Sequence, residues 1–358
     1  MSTILIKDAL RASVEAASGG AQTVLYTAKG QPTFMNIVEK FDLSTIASGL
    51  IGTHPAFIIN GAEKDLIYIG TYEAVLRNGE LLSLPNQVPS ALSFNEFVSY
   101  AKVNGAGHHM MTNAEWSALA LKAWKSGTFP LGNSYYGRST EDATQYGRRA
   151  DGISAQAGIT TGNPISYSGS GPVSWRHNAK YNGIADLVGN MKTRVLGARM
   201  VFNELQVIPN NDAANPNIDI SVTSEAWKAI DARTGDYITP NGSGTTPYAV
   251  KFVAVDSTAD YGIRAIGTFG YVTQSSSSNP VSEAALNILR KLALFPMLAN
   301  DPLVNDGLAI SPSSSDALLS RGGHYSEGIS TGIFATRFGD TRTTASNVLG
   351  SRTAYYKS

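Results

Sequence analysis

Two amphipathic helices are the clearest prediction from the pattern of apolar and polar positions. Ser93 and Glu96 form a capping box, because a serine can cap the first turn while an acid three residues later reaches back to it. The apolar positions that follow recur at helical spacing, at Phe94, Phe97, Val98 and Ala101. Thr112 and Glu115 repeat the device, and Gly127 is expected to end the second helix. Its buried stripe is expected to contain Trp116, Leu119, Ala120 and Ala123.

Short runs of β-branched and aromatic residues, separated by turn residues, predict strands through much of the remaining chain. Asn-Gly pairs at 60–61 and 78–79 predict two hairpins, one formed by residues 56–59 and 66–72 and the other by residues 75–82. A third hairpin is expected from residues 200–202 and 205–208, with Asn203 and Glu204 in its turn. Further strands are predicted at residues 24–26, 34–38 and 251–255.

Long polar and glycine-rich segments separate these elements. Residues 130–172 are predicted as an irregular insertion, and residues 209–245 as loop with a short helix around Trp227. A last helix is expected to begin with Asn279 as its cap and Pro280 as its first residue. The pattern predicts an α+β fold class, in which short antiparallel strands and two main helices are joined by long irregular loops.

The pattern also divides the chain into two parts. Residues 51–358 are predicted to form the main domain. Residues 1–50 are predicted as a small β-rich N-terminal appendage for attachment or oligomerisation. A segment of this size cannot bury a core of its own, so we expect it to dock onto a partner or another subunit.

Composition and charge exclude several classes of function. The chain has 28 basic and 28 acidic residues, so it lacks the basic footprint of a protein that binds nucleic acid or an anionic membrane. It has no apolar run long enough to insert across a membrane and no signal-peptide order at its start. The absence of cysteine excludes disulfides, thiolate nucleophiles and sulfur-ligated metals.

The candidate groups for catalysis all have simpler structural explanations. Glu96 and Glu115 are assigned to the capping boxes, and Asp186 lies in a predicted turn. His108 and His109 are adjacent, but no further ligands stand at metal-binding spacing. The sequence therefore predicts no enzyme and no cofactor.

The region of about residues 320–356 has the composition of a recognition surface. Apolar segments at its two ends are expected to form strands, while the tract between them is small, polar and turn-prone. Aromatic side chains give rigid contact area, and small polar groups adapt their hydrogen bonds to a ligand. The large groups within the tract are His324, Tyr325, Arg337 and Phe338. The alternative interpretation is an ordinary solvated loop.

Several ordered stretches resemble motifs of formylglycine-generating-enzyme-like proteins. They are residues 108–116 (HHMMTNAEW), 169–175 (GSGPVSW), 183–190 (GIADLVGN) and 205–212 (LQVIPNND), followed by a terminal frame at residues 321–323, 332–335 and 350–352. The match spans about residues 55–358 and implies a C-type-lectin-like fold.

The chain departs from that family at two points. Family members usually continue the motif at residues 183–190 as GNVWEW, whereas Met191, Lys192, Thr193 and Arg194 stand here, so the packing of that core tryptophan must be replaced. The oxygen-dependent enzymes of the family need cysteines, which this chain lacks. The resemblance therefore implies that the fold is kept and that this enzymatic activity is absent.

The phage-borne relatives include variable proteins of diversity-generating retroelements, such as the trimeric major tropism determinants at tail-fibre tips. In these proteins, changeable positions lie between fixed anchors near the C-terminus. By position, the resemblance implies that the fixed frame here is Arg321, Gly322, Gly323, Phe334 and Arg352. The changeable, ligand-binding positions would be His324, Tyr325, Ser326, Glu327, Ser330, Arg337, Gly339, Asp340, Arg342 and Thr343.

We therefore expect a non-enzymatic receptor-binding protein of a phage or prophage virion, made in the host cytoplasm without a signal peptide. Its expected partners are a host-cell surface protein or glycan and other virion or tail proteins. The resemblance implies a homo-oligomer, a trimer in the best-known relatives. It also allows a structural calcium ion, although no acidic cluster marks a site.

Two other hypotheses belong to different classes. The first is a virion decoration or tail-assembly protein that uses the same fold for protein–protein contacts. The second is a degenerate enzyme that uses Asp186 or His109.

Overall fold

The structure is a computed structural model that describes residues 2–254, 256–265, 267–275, 278–299, 301, 303 and 305–357. Over these residues the chain is a mixed α and β protein. Its four α-helices are Ser2–Ser18 (α1), Phe94–Val103 (α2), Asn113–Ser126 (α3) and Glu283–Lys291 (α4). No helix in the described part of the chain is both long enough and apolar enough to cross a bilayer.

The β-strands are short and spread along the whole described chain. In chain order they are Gln22–Tyr26 (β1), Pro32–Glu39 (β2), Ile58–Ile59 (β3), Ala62–Glu63 (β4), Leu66–Gly70 (β5), Ala74–Arg77 (β6), Glu80–Ser83 (β7), His108–Met110 (β8), Lys192–Val201 (β9), Glu204–Val207 (β10), Lys228–Ile230 (β11), Tyr237–Ile238 (β12), Lys251–Ala254 (β13), Gly262–Ala265 (β14), Thr273–Gln274 (β15), Leu308–Ile310 (β16), Ala317–Gly322 (β17), Gly332–Asp340 (β18), Leu349–Gly350 (β19) and Thr353–Tyr355 (β20).

The largest sheet has eleven strands, and the terminal region of the chain supplies β17, β18 and β19. The main path runs β15-β14-β13-β10-β9-β17-β18-β16, with β11 paired to β10 and β12, and β19 paired to β9. Strand β17 lies between β9 and β18 and is antiparallel to both. One face of the sheet packs on α3 and α4, in a core that includes Trp116, Leu289, Phe334 and Phe338.

A second, five-stranded sheet joins the two ends of the chain, in the order β1-β2-β5-β20-β8. Residues 1–50 were predicted as a separate appendage, but β2 pairs with β5 over five residues, from Met35 opposite Gly70 to Glu39 opposite Leu66. Met35 and Val38 are buried in this arrangement. The buried side of β2 is thus covered by its own chain, and the attachment or oligomerisation role of residues 1–50 stays a prediction.

Both capping-box helices are confirmed. The Ser93 hydroxyl accepts the Glu96 N–H, and the Glu96 carboxylate accepts the Ser93 N–H at 2.8 Å. Thr112 and Glu115 make the same reciprocal pair at the start of α3. Gly127 ends α3 in the left-handed conformation, with φ of 66°. These local signals are sufficient because each depends on residues within four positions of one another.

The predicted hairpins are confirmed in part. Strands β6 and β7 pair around Asn78, and β9 and β10 form a hairpin whose turn is at Phe202 and Asn203. The hairpin around Asn60 contains only β3 and β4, while β5 leaves it to join β2 and β20. Residues 130–172 contain no helix or longer strand, as predicted. Val255, the last residue of the strand predicted at residues 251–255, lies outside the described residues.

One helix prediction was wrong, and another helix begins later than predicted. Instead of a helix around Trp227, the chain continues as strand β11, which pairs with β10, and the Trp227 ring covers the Arg199 guanidinium at 4.4 Å. Helix α4 begins three residues later than predicted, because Ser282 is its cap. The Val281 N–H donates to the Gln274 side chain at 2.6 Å, which keeps the preceding residues extended.

The hydroxyl groups of the two capping residues differ in their hydrogen-bond partners, and the effect of this difference on stability can be measured. The Thr112 hydroxyl also donates to the buried Asn211 side chain at 2.6 Å, whereas the Ser93 hydroxyl bonds only within its own capping box. We expect Ser93→Ala to lower the free energy of unfolding by about 1 kcal/mol and Thr112→Ala by about 2 kcal/mol or more. Urea unfolding of both variants measures this, and equal losses would contradict the contribution assigned to Asn211.

Candidate ligand-binding surface

Arg321 holds the start of the terminal region to helices α3 and α4. Its guanidinium is fully buried and donates two hydrogen bonds to the Asn113 side chain, at 3.0 and 2.9 Å. It also donates to the carbonyls of Leu292 and Ala293, at 3.0 and 2.9 Å, where α4 ends. Burial lowers the pKa of Arg321 to about 9, so the side chain is still protonated at neutral pH. A cation at a helix C-terminus is favourable, because the last carbonyls carry partial negative charge.

The other frame positions are buried as well. Phe334 is fully buried in the main core. Arg352 is also fully buried, and its guanidinium donates to the backbone carbonyls of Gly70, Ala185 and Asp186. The residues at both ends of the terminal region are therefore fixed by contacts to distant parts of the chain.

Gly322 and Gly323 allow the chain to leave β17 in a sharp turn. Both have left-handed backbone conformations, with φ of 84° and 74°. A Cβ at Gly322 would lie 2.3 Å from the Leu187 carbonyl oxygen, and one at Gly323 would lie 2.7 Å from a Thr331 methyl carbon. Only glycine fits both requirements.

Residues 324–330, which we name the terminal turn, connect β17 to β18, and their backbone is fixed by main-chain hydrogen bonds. The Tyr325 N–H donates to the Asn190 carbonyl at 3.1 Å, and its carbonyl accepts the Tyr136 N–H at 2.7 Å. The Gly328 N–H donates to the Ser134 carbonyl at 3.0 Å. Two other loops thus hold the turn without using its side chains.

Glu327 forms the principal ionic contact of the terminal turn. Its carboxylate lies 2.6 Å from the Lys192 ammonium group and 3.3 Å from His324 Nε2. Burial opposes ionisation of Glu327, but the His324 hydrogen bond and the Lys192 charge outweigh it and lower the pKa to about 2. The Ser326 hydroxyl lies 3.3 Å from His324 Nδ1. Lys192 is therefore neutralised by a residue of the turn.

Aromatic rings from the insertion extend the surface beside the terminal turn. The ring centroids of Tyr136 and Tyr325 are 5.8 Å apart, those of Tyr135 and Tyr136 are 5.3 Å apart, and those of His324 and Tyr325 are 5.3 Å apart. We name these four residues the tyrosine cluster. Tyr135, a member of this cluster, is 38% exposed to solvent. Two further large side chains of the insertion and the terminal turn are also exposed, Tyr146 at 63% and Ile329 at 53%.

The face of the eleven-stranded sheet that points away from α3 and α4 carries a polar trough. Register places Ala309, Arg337, Ser320 and Arg194 side by side across β16, β18, β17 and β9, so their side chains share one face. Lys192 lies two residues before Arg194 and points to the same face. A cavity of about 220 Å³ lies here, lined by Lys192, Gly267, Gly307, Leu308, Ala309, Ser320, Gly323, Glu327, Ser330, Ala335, Thr336 and Arg337.

The last predicted display positions belong to the scaffold more than to an open surface. Arg342 Nε lies 2.6 Å from Asp316 Oδ2, and the guanidinium covers the Phe94 ring at 5.5 Å. The Asp340 carboxylate accepts the Ser320 hydroxyl at 2.9 Å. Substitutions at Arg342 or Asp340 would thus break contacts within the protein.

The ten predicted display positions fall into two groups by exposure. Ser326, Ser330, Arg337 and Thr343 have exposed side chains. The other six are partly buried: His324, Tyr325, Glu327, Gly339, Asp340 and Arg342. Phe338, which the sequence suggested as a large group of the recognition surface, is fully buried and stacks with Phe252 at 5.8 Å. It follows Arg337 in a strand, so its side chain points to the opposite face.

Sequence reasoning missed the parts of the surface that come from other segments. These are Lys192 and Arg194 in the sheet, and Tyr135 and Tyr136 in the insertion. A signal was present for the first two, since Lys192 and Arg194 stand where the family that the motifs resemble has tryptophans. The adjacent tyrosines were visible in the sequence, but nothing local placed them beside the terminal turn.

The residues considered for catalysis are engaged in structural contacts. Glu115 lies 2.7 Å from His109 Nε2 in addition to its capping role. Asp186 accepts the Gly169 N–H at 2.7 Å, and burial raises its pKa. Among the described residues, no three His, Asp or Glu side chains are grouped to hold a metal ion.

Glu73 is a buried carboxyl group that the sequence did not single out. Burial, and then the charge of Asp186, raise its pKa. It accepts hydrogen bonds from the Asn190 amide at 2.5 Å and from the Ser168 hydroxyl at 3.1 Å. Because the Asn190 carbonyl accepts the Tyr325 N–H, Glu73 supports the terminal turn from below.

No protein-family model matches this sequence, and no curated protein matches it. The resemblance of its motifs to formylglycine-generating-enzyme-like proteins therefore stays a prediction.

The glycine that begins the turn can be tested against a matched glycine elsewhere. Gly322 and Gly152 both have positive φ, at 84° and 73°, but a Cβ at Gly152 would meet no atom within 4 Å. We expect Gly152→Ala to cost about 1 kcal/mol of stability from backbone strain, and Gly322→Ala to cost about 3 kcal/mol or more because a clash is added. Similar losses in urea unfolding would show that the backbone beside Gly322 relaxes freely.

Asp306 makes the stability of the protein depend on pH. It accepts the Phe334 N–H at 2.7 Å, and burial, followed by Glu141 and Asp301, raises its pKa to about 7. A raised pKa means that its contribution to stability is fully present below the unfolded value of 3.8 and is lost as pH rises through about 7.

We therefore expect Asp306→Asn to reduce the loss of stability between pH 5 and pH 8, by about 1–3 kcal/mol. The amide keeps an acceptor for the Phe334 N–H but cannot ionise. Asp306→Ala removes the acceptor too and should be less stable than the asparagine variant at both pH values. Unfolding curves at the two pH values measure this, and parallel losses for the wild type and Asp306→Asn would rule out the assigned titration.

Proposed function

We propose that this chain is a non-enzymatic receptor-binding protein of a bacteriophage virion, built on a C-type-lectin-like fold. The observation that carries the proposal is the way the terminal turn is held. Its backbone is fixed by main-chain hydrogen bonds to two neighbouring loops. Such bonds do not depend on side-chain identity, so exposed positions such as Ser326 and Ser330 can change while the frame persists.

The positions of the family-like motifs support the fold assignment. The motif tryptophans Trp116 and Trp175 are both buried, and so are the frame arginines Arg321 and Arg352. The departure from the family motif also has a structural counterpart. Lys192 lines the trough and Arg194 lies on the same face of β9, so charged groups replace the expected tryptophan packing.

The surface has the composition of a shallow recognition site. Rigid tyrosine rings stand beside small hydroxyl side chains and one exposed arginine, Arg337. A single such surface would bind weakly, and we infer that the virion presents several copies, as a homo-oligomer, to gain avidity. The partner is a protein or glycan on the surface of the host cell.

Cell binding by the full-length chain tests this proposal. We expect labelled protein to bind a subset of strains in a bacterial panel, and the quadruple variant Tyr135→Ala, Ser326→Ala, Ser330→Ala and Arg337→Ala to lose about tenfold or more in apparent affinity. All four side chains are exposed, so the change should spare the core.

Tyr181→Ala is the matched control, since Tyr181 is 84% exposed and lies outside the surface. Circular dichroism establishes that each variant is folded. Equal binding by the control and the quadruple variant, or no binding to any strain, would contradict the proposal. If the quadruple variant instead binds cells normally but fails to join virions, the chain is an assembly protein.

A further inference from the structure

Arg337 is the free charge of the polar trough. Its side chain is exposed, and it has no ion pair among the described residues. Its strand neighbours on the same face are Ala309 and Ser320. Both side chains are small, so neither neighbour covers the guanidinium. The exposed hydroxyl of Ser330 lines the same cavity.

The charges around the trough leave a cationic excess. Lys192 is paired with Glu327, and Asp316 is shared by Arg199 and Arg342. These ion pairs involve three cations, Lys192, Arg199 and Arg342, but only the two carboxylates of Glu327 and Asp316. The remaining carboxylate on this face, Asp340, accepts the Ser320 hydroxyl, and two further arginines, Arg194 and Arg337, lie in register with Ser320.

Arg194 gives independent support for an anionic ligand. It is fully buried, and its Nε and Nη2 atoms have no hydrogen-bond partner within the described part of the chain. Its one assigned contact is Nη1 to the Leu92 carbonyl at 3.3 Å. A buried cation with unused donors, one strand away from Arg337 across Ser320, strengthens the positive potential of the trough, because charges act over longer range in a dry interior.

We propose that the trough binds the carboxylate of an acidic monosaccharide unit at the outer end of a cell-surface glycan, with Arg337 as the carboxylate-binding residue. This inference rests on the proposed function, and it names the chemistry of the receptor. A guanidinium binds a carboxylate through two parallel charge-assisted hydrogen bonds. The Glu327–Lys192 pair beside it offers both an acceptor and a donor for sugar hydroxyl groups, which an acidic peptide side chain would leave unused.

The size of the trough agrees with a single sugar unit. Sites for drug-sized ligands usually have volumes of about 300–1,000 Å³. The cavity here, at about 220 Å³, is smaller than this range. An extended saccharide would have to continue outward, and the terminal turn borders the trough through Glu327 and Ser330.

Isothermal titration of the full-length protein with soluble sugars tests the inference. The probes are D-glucuronate, D-galacturonate and N-acetylneuraminate, each compared with neutral D-glucose. We expect at least one acidic sugar to bind about tenfold or more tightly than glucose, because a charge-assisted pair is gained. Arg337→Ala should remove this preference, Arg337→Lys should keep part of it, and Tyr181→Ala should keep all of it.

Several results would overturn the inference. They are equal binding of acidic and neutral sugars, an acid preference that survives Arg337→Ala, and equal binding of acetate or N-acetylaspartate, which would assign the site to any carboxylate or to an acidic peptide. The cell-binding assay separates this failure from that of the proposed function. If Arg337→Ala binds cells normally while the quadruple variant does not, receptor binding stands and the acidic-sugar site falls.

Discussion

The fold depends on one buried cation, Arg321, more than on any other single group. Its strand lies between β9 and β18 in the large sheet, and its guanidinium reaches the start of α3 through Asn113 and the end of α4 through Leu292 and Ala293. Leaving a buried charge without such partners would cost several kcal/mol. Because the hydrogen bonds satisfy it, the same residue that orders the core also fixes the strand from which the terminal turn begins.

Features that depend on residues close together in the sequence were predicted more successfully than features that depend on tertiary contacts. The helices at Ser93 and Thr112 were predicted because capping boxes are local signals. The turn at Gly322 was placed by resemblance, and its backbone explains the glycine. The short helix at Trp227 was wrong because pairing of the next residues with β10 overrides local propensity. The tyrosine cluster was missed because its rings meet only through the tertiary packing of two loops.

The surface combines two kinds of position. At one end, the terminal turn has a backbone held from outside, and its side chains at Ser326 and Ser330 are free. At the other end, Asp340 and Arg342 are held by side-chain contacts, so a change there is also a change in the scaffold. Arg337 stands between these ends with a free side chain above small neighbours. Tolerance to substitution should therefore fall from the turn toward Arg342.

Strand β20 makes completion of the five-stranded sheet depend on residues that follow the terminal turn. It follows the terminal turn in the chain, yet it lies inside the five-stranded sheet, between β5 and β8. A polypeptide that stops within residues 324–343 lacks this strand, and two strand edges are left unpaired. Such products are prone to aggregate and be degraded. Chains with premature stops in this region would then be removed, and only chains with a complete terminal region would persist.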